Sequence, residues 1–300
     1  MTKSCDKPSW EAQSFNVNGL QIHAKVWGPE DGERVIALHG WLDNAASFDL
    51  LAPQLPELRI CAVDLAGHGL SGHRPGWGHY YFNEYVFDVL ELASQLSWDA
   101  FSLMGHSMGA HISLMTAGTE PTLVNKLMLL EGFGAPSMVS PETIPILAQT
   151  AFRKTIGLRQ KKAPIYPDLD AATNARVNGF FKIEESAARL LCDRGSQQNE
   201  EGLVFRSDPR LRFISSSAAS HHEFCSYIRS ATAPSCLILA EEGVPRDEVE
   251  MQERIHAHKN LRVEYLPGGH HLHMEEQSGD VAKIVADFFE TKYEPLQGGS

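Results

Sequence analysis

The chain has 300 residues, with 43% hydrophobic and 21% charged side chains, a balance that provides for an ordinary packed core and excludes global disorder. Its 38 Asp and Glu against 26 Lys and Arg leave a formal charge of -12, which disfavours nucleic acid and anionic membrane surfaces as partners. No run of about 18 apolar residues offers a membrane span, and the first ten residues are polar rather than signal-like, so a cytoplasmic protein is expected.

Taken in chain order, strand-length apolar runs fall at 21–26, 35–38, 60–63, 101–104, 126–130, 236–239 and 261–266. Helical patterns lie between most of them. Phe82, Val86, Val89, Leu90, Ala93 and Leu96 share one helix face, and Val281, Ile284, Val285, Phe288 and Phe289 repeat the period near the end of the chain. Strands alternating with one-faced helices predict an α/β protein whose mostly parallel central sheet is flanked by helices. The five cysteines (Cys5, Cys61, Cys192, Cys225, Cys236) are odd in number and never form CxxC, which fits a reducing compartment. Cys61 and Cys236 sit inside apolar runs and read as small buried hydrophobes.

The alternation breaks after Glu131 and resumes near Cys236. Between them the sequence is more polar and helical, with a start signal at Ser140-Pro141-Glu142, a second at Asp170, and a helical stretch over 183–192 stopped near Gly195. An insertion between two parallel strands leaves from and returns to the carboxyl edge of the sheet, where such folds place ligands. The predicted organisation is therefore a core formed by residues 1–133 and 231–300, with a helical lid over 134–230 inserted between two late strands.

Three motifs carry chemistry. Gly105-His106-Ser107-Met108-Gly109 follows a strand run and precedes a helical pattern, which is the context of a nucleophile elbow with Ser107 as nucleophile. His39-Gly40-Trp41 follows the 35–38 run, so the backbone amides of Trp41 and Met108 are candidates for an oxyanion hole. Gly268-Gly269-His270-His271-Leu272-His273 follows the last strand run. It offers His270, ahead of His271, as the base that removes the serine proton, with His273 packing or hydrogen-bonding nearby. The plain alternatives are a Gly-rich turn with an idle serine, a packed Trp41 and satisfied core histidines. The paired histidines His221-His222, His256-x-His258 and His270-His271-x-His273 lack HExxH or comparable ligand spacing, and Gly67-His68-Gly69 is no phosphate loop. No cofactor is expected.

Together with Asp64-Leu-Ala-Gly-His-Gly-Leu-Ser71 and Ser207-Asp-Pro-Arg-Leu211, these segments give a chain that resembles the α/β-hydrolase-fold serine hydrolases, and among them the serine hydrolase-like proteins, from about residue 15 to 290. The resemblance implies a Ser-His-acid mechanism. Many such proteins carry the acid as Gly-x-x-Asp after the first strand beyond the lid. Here Cys236-Leu-Ile-Leu-Ala-Glu-Glu-Gly243 puts Gly243 at that place, and Glu131, directly after the strand before the lid, is the leading candidate. Glu241, Glu242, Asp247 or no acid at all remain open.

The expected activity is cleavage of a small or medium carboxylic ester or thioester through an acyl-enzyme. The rivals are C–C bond hydrolysis, lyase or perhydrolase chemistry on the same residues, or a ligand-binding member that does no catalysis. A dehalogenase is disfavoured, because the elbow carries a serine and not a carboxylate. Arg206, Arg210 and Arg212 read as surface or structural ion pairs, with carboxylate attraction as the second reading.

Overall fold

The computed structural model describes residues 10–76, 78–134, 145–146, 149–150, 152–153, 163–212 and 220–291. Eight strands make one sheet: β1 (Glu11–Val17), β2 (Leu20–Trp27), β3 (Glu33–Leu38), β4 (Leu58–Val63), β5 (Phe101–His106), β6 (Val124–Leu130), β9 (Ser235–Ala240) and β10 (Leu261–Leu266). Their order is β1-β2-β4-β3-β5-β6-β9-β10. β1 and β2 pair antiparallel, as do β2 and β4, and every other neighbour is parallel. A short antiparallel pair, β7 (Ser196–Gln198) and β8 (Leu203–Phe205), stands apart. β1 carries no apolar run, since its exposed edge position leaves most of its residues in or near water. Its only sequence signal is the Asn18-Gly19 turn into β2, where both residues have positive φ, 49° and 79°.

The parallel strands are apolar throughout because both faces are covered. Ile36, Leu38, Leu103, Leu127, Leu129 and Leu237 face one side, where α1 (Phe82–Gln95) and α2 (Met108–Thr119) bring Tyr85, Val89, Leu92, Ile112 and Leu114. The alternate residues Val35, Ala37, Met104, Met128, Leu130 and Ile238 face the other side, against Val281, Val285 and Phe288 of α7 (Ser278–Glu290). This is the period-2 alternation of a strand buried on both sides. Each buried Leu, Ile, Val or Phe contributes about 1.5–3 kcal/mol. Cys61 and Cys236 are fully buried in these clusters, and burial pushes both thiols up to about 12, so they behave as the hydrophobes expected.

Between β6 and β9 the described residues hold α3 (Leu169–Val177), α4 (Glu185–Gly195), the β7–β8 pair and α5 (His221–Ser230). This segment is not purely helical, contrary to the sequence expectation. The start signal read at Asp170 lies two residues too late: Asp168 caps α3, accepting from the Ala171 N–H, while Asp170 sits in the first turn and pairs with Arg189. The start read at Ser140-Pro141-Glu142 lies outside the described residues.

Buried polar contacts fasten the segment to the sheet's carboxyl edge. Arg194 of α4 grips Asp64 with Nε 3.0 Å from Oδ1 and Nη2 2.9 Å from Oδ2, and Asp64 also accepts from the Ala45 and Leu70 amides at 2.8 Å. Arg176 of α3 donates to Asp43 at 2.7 Å, Asn44 donates to the Leu191 carbonyl, and Trp41 Nε1 donates to the Leu211 carbonyl. Among the described residues no helix is long and apolar enough to cross a membrane.

Candidate active site

The parallel registers Leu38↔Gly105, His106↔Leu130 and Leu130↔Ile238 bring the carboxyl ends of β3, β5, β6 and β9 level, with β10 beside them. Trp41, Ser107, Glu131, Gly243 and His270 each follow one of these ends within a few residues, so one sheet edge collects them all. Separation along the chain is immaterial once the register is set.

Ser107 has φ 50° and ψ -114°, a conformation that L side chains rarely adopt and that costs on the order of 1–3 kcal/mol. Its surroundings impose it. The Ser107 N–H donates to the Leu130 carbonyl at 2.9 Å, and its own carbonyl accepts from the Ala110 and His111 amides that open α2. The flanking glycines are needed for space rather than for φ. A Cβ on Gly109 would lie 2.0 Å from the Leu38 carbonyl oxygen, and one on Gly105 would lie 2.3 Å from that of Gly109. α2 can thus sit hard against the ends of β3 and β5, with its N-terminal amides at the serine.

Glu131, like Ser107, is held at positive φ, 54°. Its Oε2 accepts from His270 Nδ1 at 3.1 Å, and Oε1 accepts from the Ala240 amide at 2.6 Å and from Arg246 at 3.3 Å. Burial alone would raise this carboxyl. The hydrogen bonds from His270 and the Ala240 amide, with the Arg246 charge, outweigh it and hold Glu131 below its ordinary value, as a carboxylate. With Nδ1–H committed to Glu131, the lone pair of His270 lies on Nε2, the form a general base needs. His270 is tied to the residue before Ser107: His106 Nε2 donates to the His270 carbonyl at 2.9 Å, and the two rings lie 4.8 Å apart. The Ser107 hydroxyl has no hydrogen-bond partner among the described residues. Catalytic hydrogen bonds are often loose before substrate binds.

Gly243 stands where many of the resembling proteins carry an aspartate, and its neighbour explains it. A Cβ there would lie 2.3 Å from Glu131 Oε2, so the carboxylate of Glu131 fills the space that a side chain at 243 would take. The other acid candidates are elsewhere. Asp247 caps α6 (Glu248–Ala257), accepting from the Glu250 amide at 3.0 Å, while Glu241 and Glu242 are exposed.

His271 is buried and turned away, with Nε2 3.5 Å from Asp43 Oδ2 and Nδ1 3.2 Å from the Lys182 carbonyl oxygen. His273 shares a 2.8 Å hydrogen bond with Ser47. Desolvation pushes His273 down to about 3, and His106 lies well below its ordinary value for the same first reason, so both are neutral supports of the site. The Trp41 amide lies three residues past the end of β3 and the Met108 amide opens α2 directly after Ser107; neither has a partner among the described residues.

A cavity of about 500 Å³ lies between this edge and the inserted segment, walled in part by Trp41, Asn44, Tyr166, Phe181, Phe205 and Arg212. Ser107 and His270 are not in its wall. It meets His270 through Phe181, whose ring stacks on His270 with centroids 4.6 Å apart. Arg206 and Arg210 are consumed internally: Arg206 donates to the Ser196 carbonyl, and Arg210 binds Asp208 and the Arg74 carbonyl. Arg212 departs from the expected surface ion pair, because it faces the cavity without a partner among the described residues. Asp43, Arg176, Phe181 and Arg246 were not anticipated. Only Asp43 had a signal, its place in the segment after His39-Gly40-Trp41.

Residues 33–277 match the alpha/beta hydrolase fold family. A serine hydrolase-like protein of Dictyostelium discoideum is 34% identical over 290 residues, covering 91% of this chain and 80% of that protein. A Bacillus subtilis protein named as a putative 2-succinyl-6-hydroxy-2,4-cyclohexadiene-1-carboxylate synthase is 32% identical over 285 residues, covering 90% and 95%. The crystal structure of a hypothetical protein from Pseudomonas aeruginosa PAO1 superposes with a TM-score of 0.89 at 39% identity, covering 94% of this chain and all of that one. With the elbow serine, the sheet order and these matches, the chain belongs to the alpha/beta hydrolase fold family, among its serine hydrolase-like members.

Proposed function

We propose that this protein cleaves a carboxylic ester or thioester through an acyl-enzyme, with Ser107 as nucleophile, His270 as base and Glu131 as the acid. The observation that carries the reading is the 3.1 Å hydrogen bond from His270 to a buried, ionised Glu131 at the sheet edge that also holds the strained Ser107. His270 Nε2 takes the proton as Ser107 Oγ bonds to the substrate carbonyl carbon. The carbonyl electron pair moves onto oxygen, facing the amides of Trp41 and Met108. As the pair returns, the bond to the leaving alcohol or thiol breaks, and His270 delivers the proton to that group. Water repeats the sequence on the acyl-enzyme, regenerating Ser107 and freeing the acid. Residues 134–230 serve in this reading as a lid on the core of 1–133 and 231–300. The ties from Arg194 to Asp64 and from Arg176 to Asp43 support it.

A second reading, the same residues used for lyase, synthase or C–C bond chemistry, is favoured by the name of the Bacillus subtilis relative. A fluorophosphonate probe read by mass spectrometry tests the primary one. The wild-type protein is expected to label at Ser107 alone, and Ser107→Ala and His270→Ala to lose labelling. A folded wild-type protein that stays unlabelled counts against an assembled nucleophile. Turnover of an ester and thioester panel then separates hydrolysis from the second reading.

Gly243→Ala is a sharper probe of the acid. Its methyl group must displace the Glu131 carboxylate, and a misplacement of about 1 Å costs roughly 10²-fold in rate. The expected result is that loss in turnover with an unchanged circular dichroism spectrum, and full activity would remove Glu131 from the mechanism.

A further inference from the structure

Among the described residues the cavity wall holds five ionisable side chains: Asp43, Tyr166, Arg176, Cys192 and Arg212. Asp43 and Arg176 neutralise each other at 2.7 Å. Burial raises the Tyr166 phenol and the Cys192 thiol, so both are uncharged near neutrality. Among the described wall residues Arg212 alone is left without an opposite charge: it borders the cavity, is partly open to solvent, and makes no hydrogen bond or ion pair to another described residue. The neighbouring Arg206 and Arg210 show what a structural arginine looks like in this segment, with their hydrogen bonds spent on backbone carbonyls, Gln197 or Asp208.

Within a chain of charge -12, a cation that borders a substrate-sized cavity and is uncompensated among the described residues is a recognition element. Among those residues, one such cation matches a single negative charge. A phosphate dianion would leave one charge unmet, because Arg176 is already neutralised by Asp43.

We infer that Arg212 binds a free carboxylate on the substrate, so that the bond broken at Ser107 belongs to an acidic ester or thioester, such as a half-ester of a dicarboxylic acid. This rests on the acyl-transfer reading above and narrows its substrate class. Trp41, whose Nε1 donates to the Leu211 carbonyl beside Arg212, and Phe181, stacked on His270, both border the cavity, so the carboxylate site and the catalytic edge share it.

The test compares 4-nitrophenyl hemiglutarate with the uncharged 4-nitrophenyl pentanoate on the wild-type protein, Arg212→Gln, Arg212→Lys and Arg206→Gln. The wild-type protein is expected to prefer the hemiglutarate. Arg212→Gln is expected to raise its KM roughly 10- to 100-fold, the range for a lost hydrogen bond to a charged group, with the pentanoate changed less than about twofold. Arg212→Lys retains part of the preference, and Arg206→Gln leaves it intact. An unchanged substrate ratio in Arg212→Gln overturns the inference. If neither ester is turned over and Ser107 stays unlabelled, the acyl-transfer reading fails by itself, and the carboxylate site is judged by glutarate alone. Glutarate is then expected to raise the Tm of the wild-type protein and not that of Arg212→Gln. An absent shift, an equal shift in both proteins, or an equal shift with inorganic phosphate overturns it.

Discussion

Glu131→Gln is expected to lower kcat for ester or thioester turnover roughly 10⁴-fold, the loss seen when a triad acid is made neutral without changing its shape. The reasoning is local. Glu131 is 6% exposed and accepts at once from His270, the Ala240 amide and Arg246, so its charge is both fixed in place and directed at His270 Nδ1. A glutamine retains the volume beside Gly243 but removes the charge that stabilises the imidazolium formed in each step, and it lets His270 adopt the tautomer that cannot take the serine proton. Asp247→Asn and Glu242→Gln are expected to stay within about twofold of the wild-type protein, since Asp247 caps a helix and Glu242 is exposed. Steady-state kinetics on the three variants, with thermal melts to establish folding, decides between them. A Glu131→Gln protein as fast as the wild type would mean that His270 needs no acid partner.

Acid lability is the second large effect expected. Desolvation holds His68, His111 and His273 down to about 3 and His258 to about 4, and it lowers His39 and His106 as well. Unfolding returns each to about 6.5. The folded values lie below the unfolded ones, so the unfolded chain binds more protons. The stability contributed by keeping these rings neutral is therefore complete above pH 6.5 and is lost as pH falls toward 3 to 4. Once well below 6.5, each such histidine costs about 1.4 kcal/mol per pH unit, and four together about 5–6 kcal/mol per unit. Against a typical total of about 5–15 kcal/mol, this predicts cooperative unfolding between roughly pH 5.5 and 4. Urea titrations at pH 7.5, 6.5, 5.5 and 5.0 measure the slope, and His258→Gln should remove one ring's share of it, about 1.4 kcal/mol per pH unit. A stability independent of pH over that range would show that these rings are not kept neutral by burial.

The strands of the sheet interior were legible because burial on both faces requires continuous apolar runs, and the helices because one covered face imposes the 3.6 period. β1 was not, since an edge strand with one wet face needs no apolar run. The inserted segment was only partly legible, because its attachment runs through Arg176, Arg194 and Trp41, and such pairings leave no periodic trace. The elbow was visible in the sequence because close helix-to-strand contact tolerates only glycine at 105 and 109, a constraint written into neighbouring positions.

The acid shows where sequence reasoning stops. Glu131, Glu241, Glu242 and Asp247 are the same kind of group at comparable distances from strand ends, and no local rule separates them. The tertiary structure does so by register. Leu130 pairs with Ile238, which brings Glu131 beside Gly243 and His270, while Asp247 is drawn into a helix cap. The same holds for Arg206, Arg210 and Arg212, which are equivalent as sequence and differ only in which of them found partners on folding. The amino-acid sequence by itself determined the layered α/β sheet, the serine on its elbow and the histidine after the last strand, because each follows from burial or turn geometry over a few residues. Which carboxylate meets that histidine, and which arginine is left facing the cavity, depends on contacts between residues up to about 140 positions apart, which exist only once the sheet has closed.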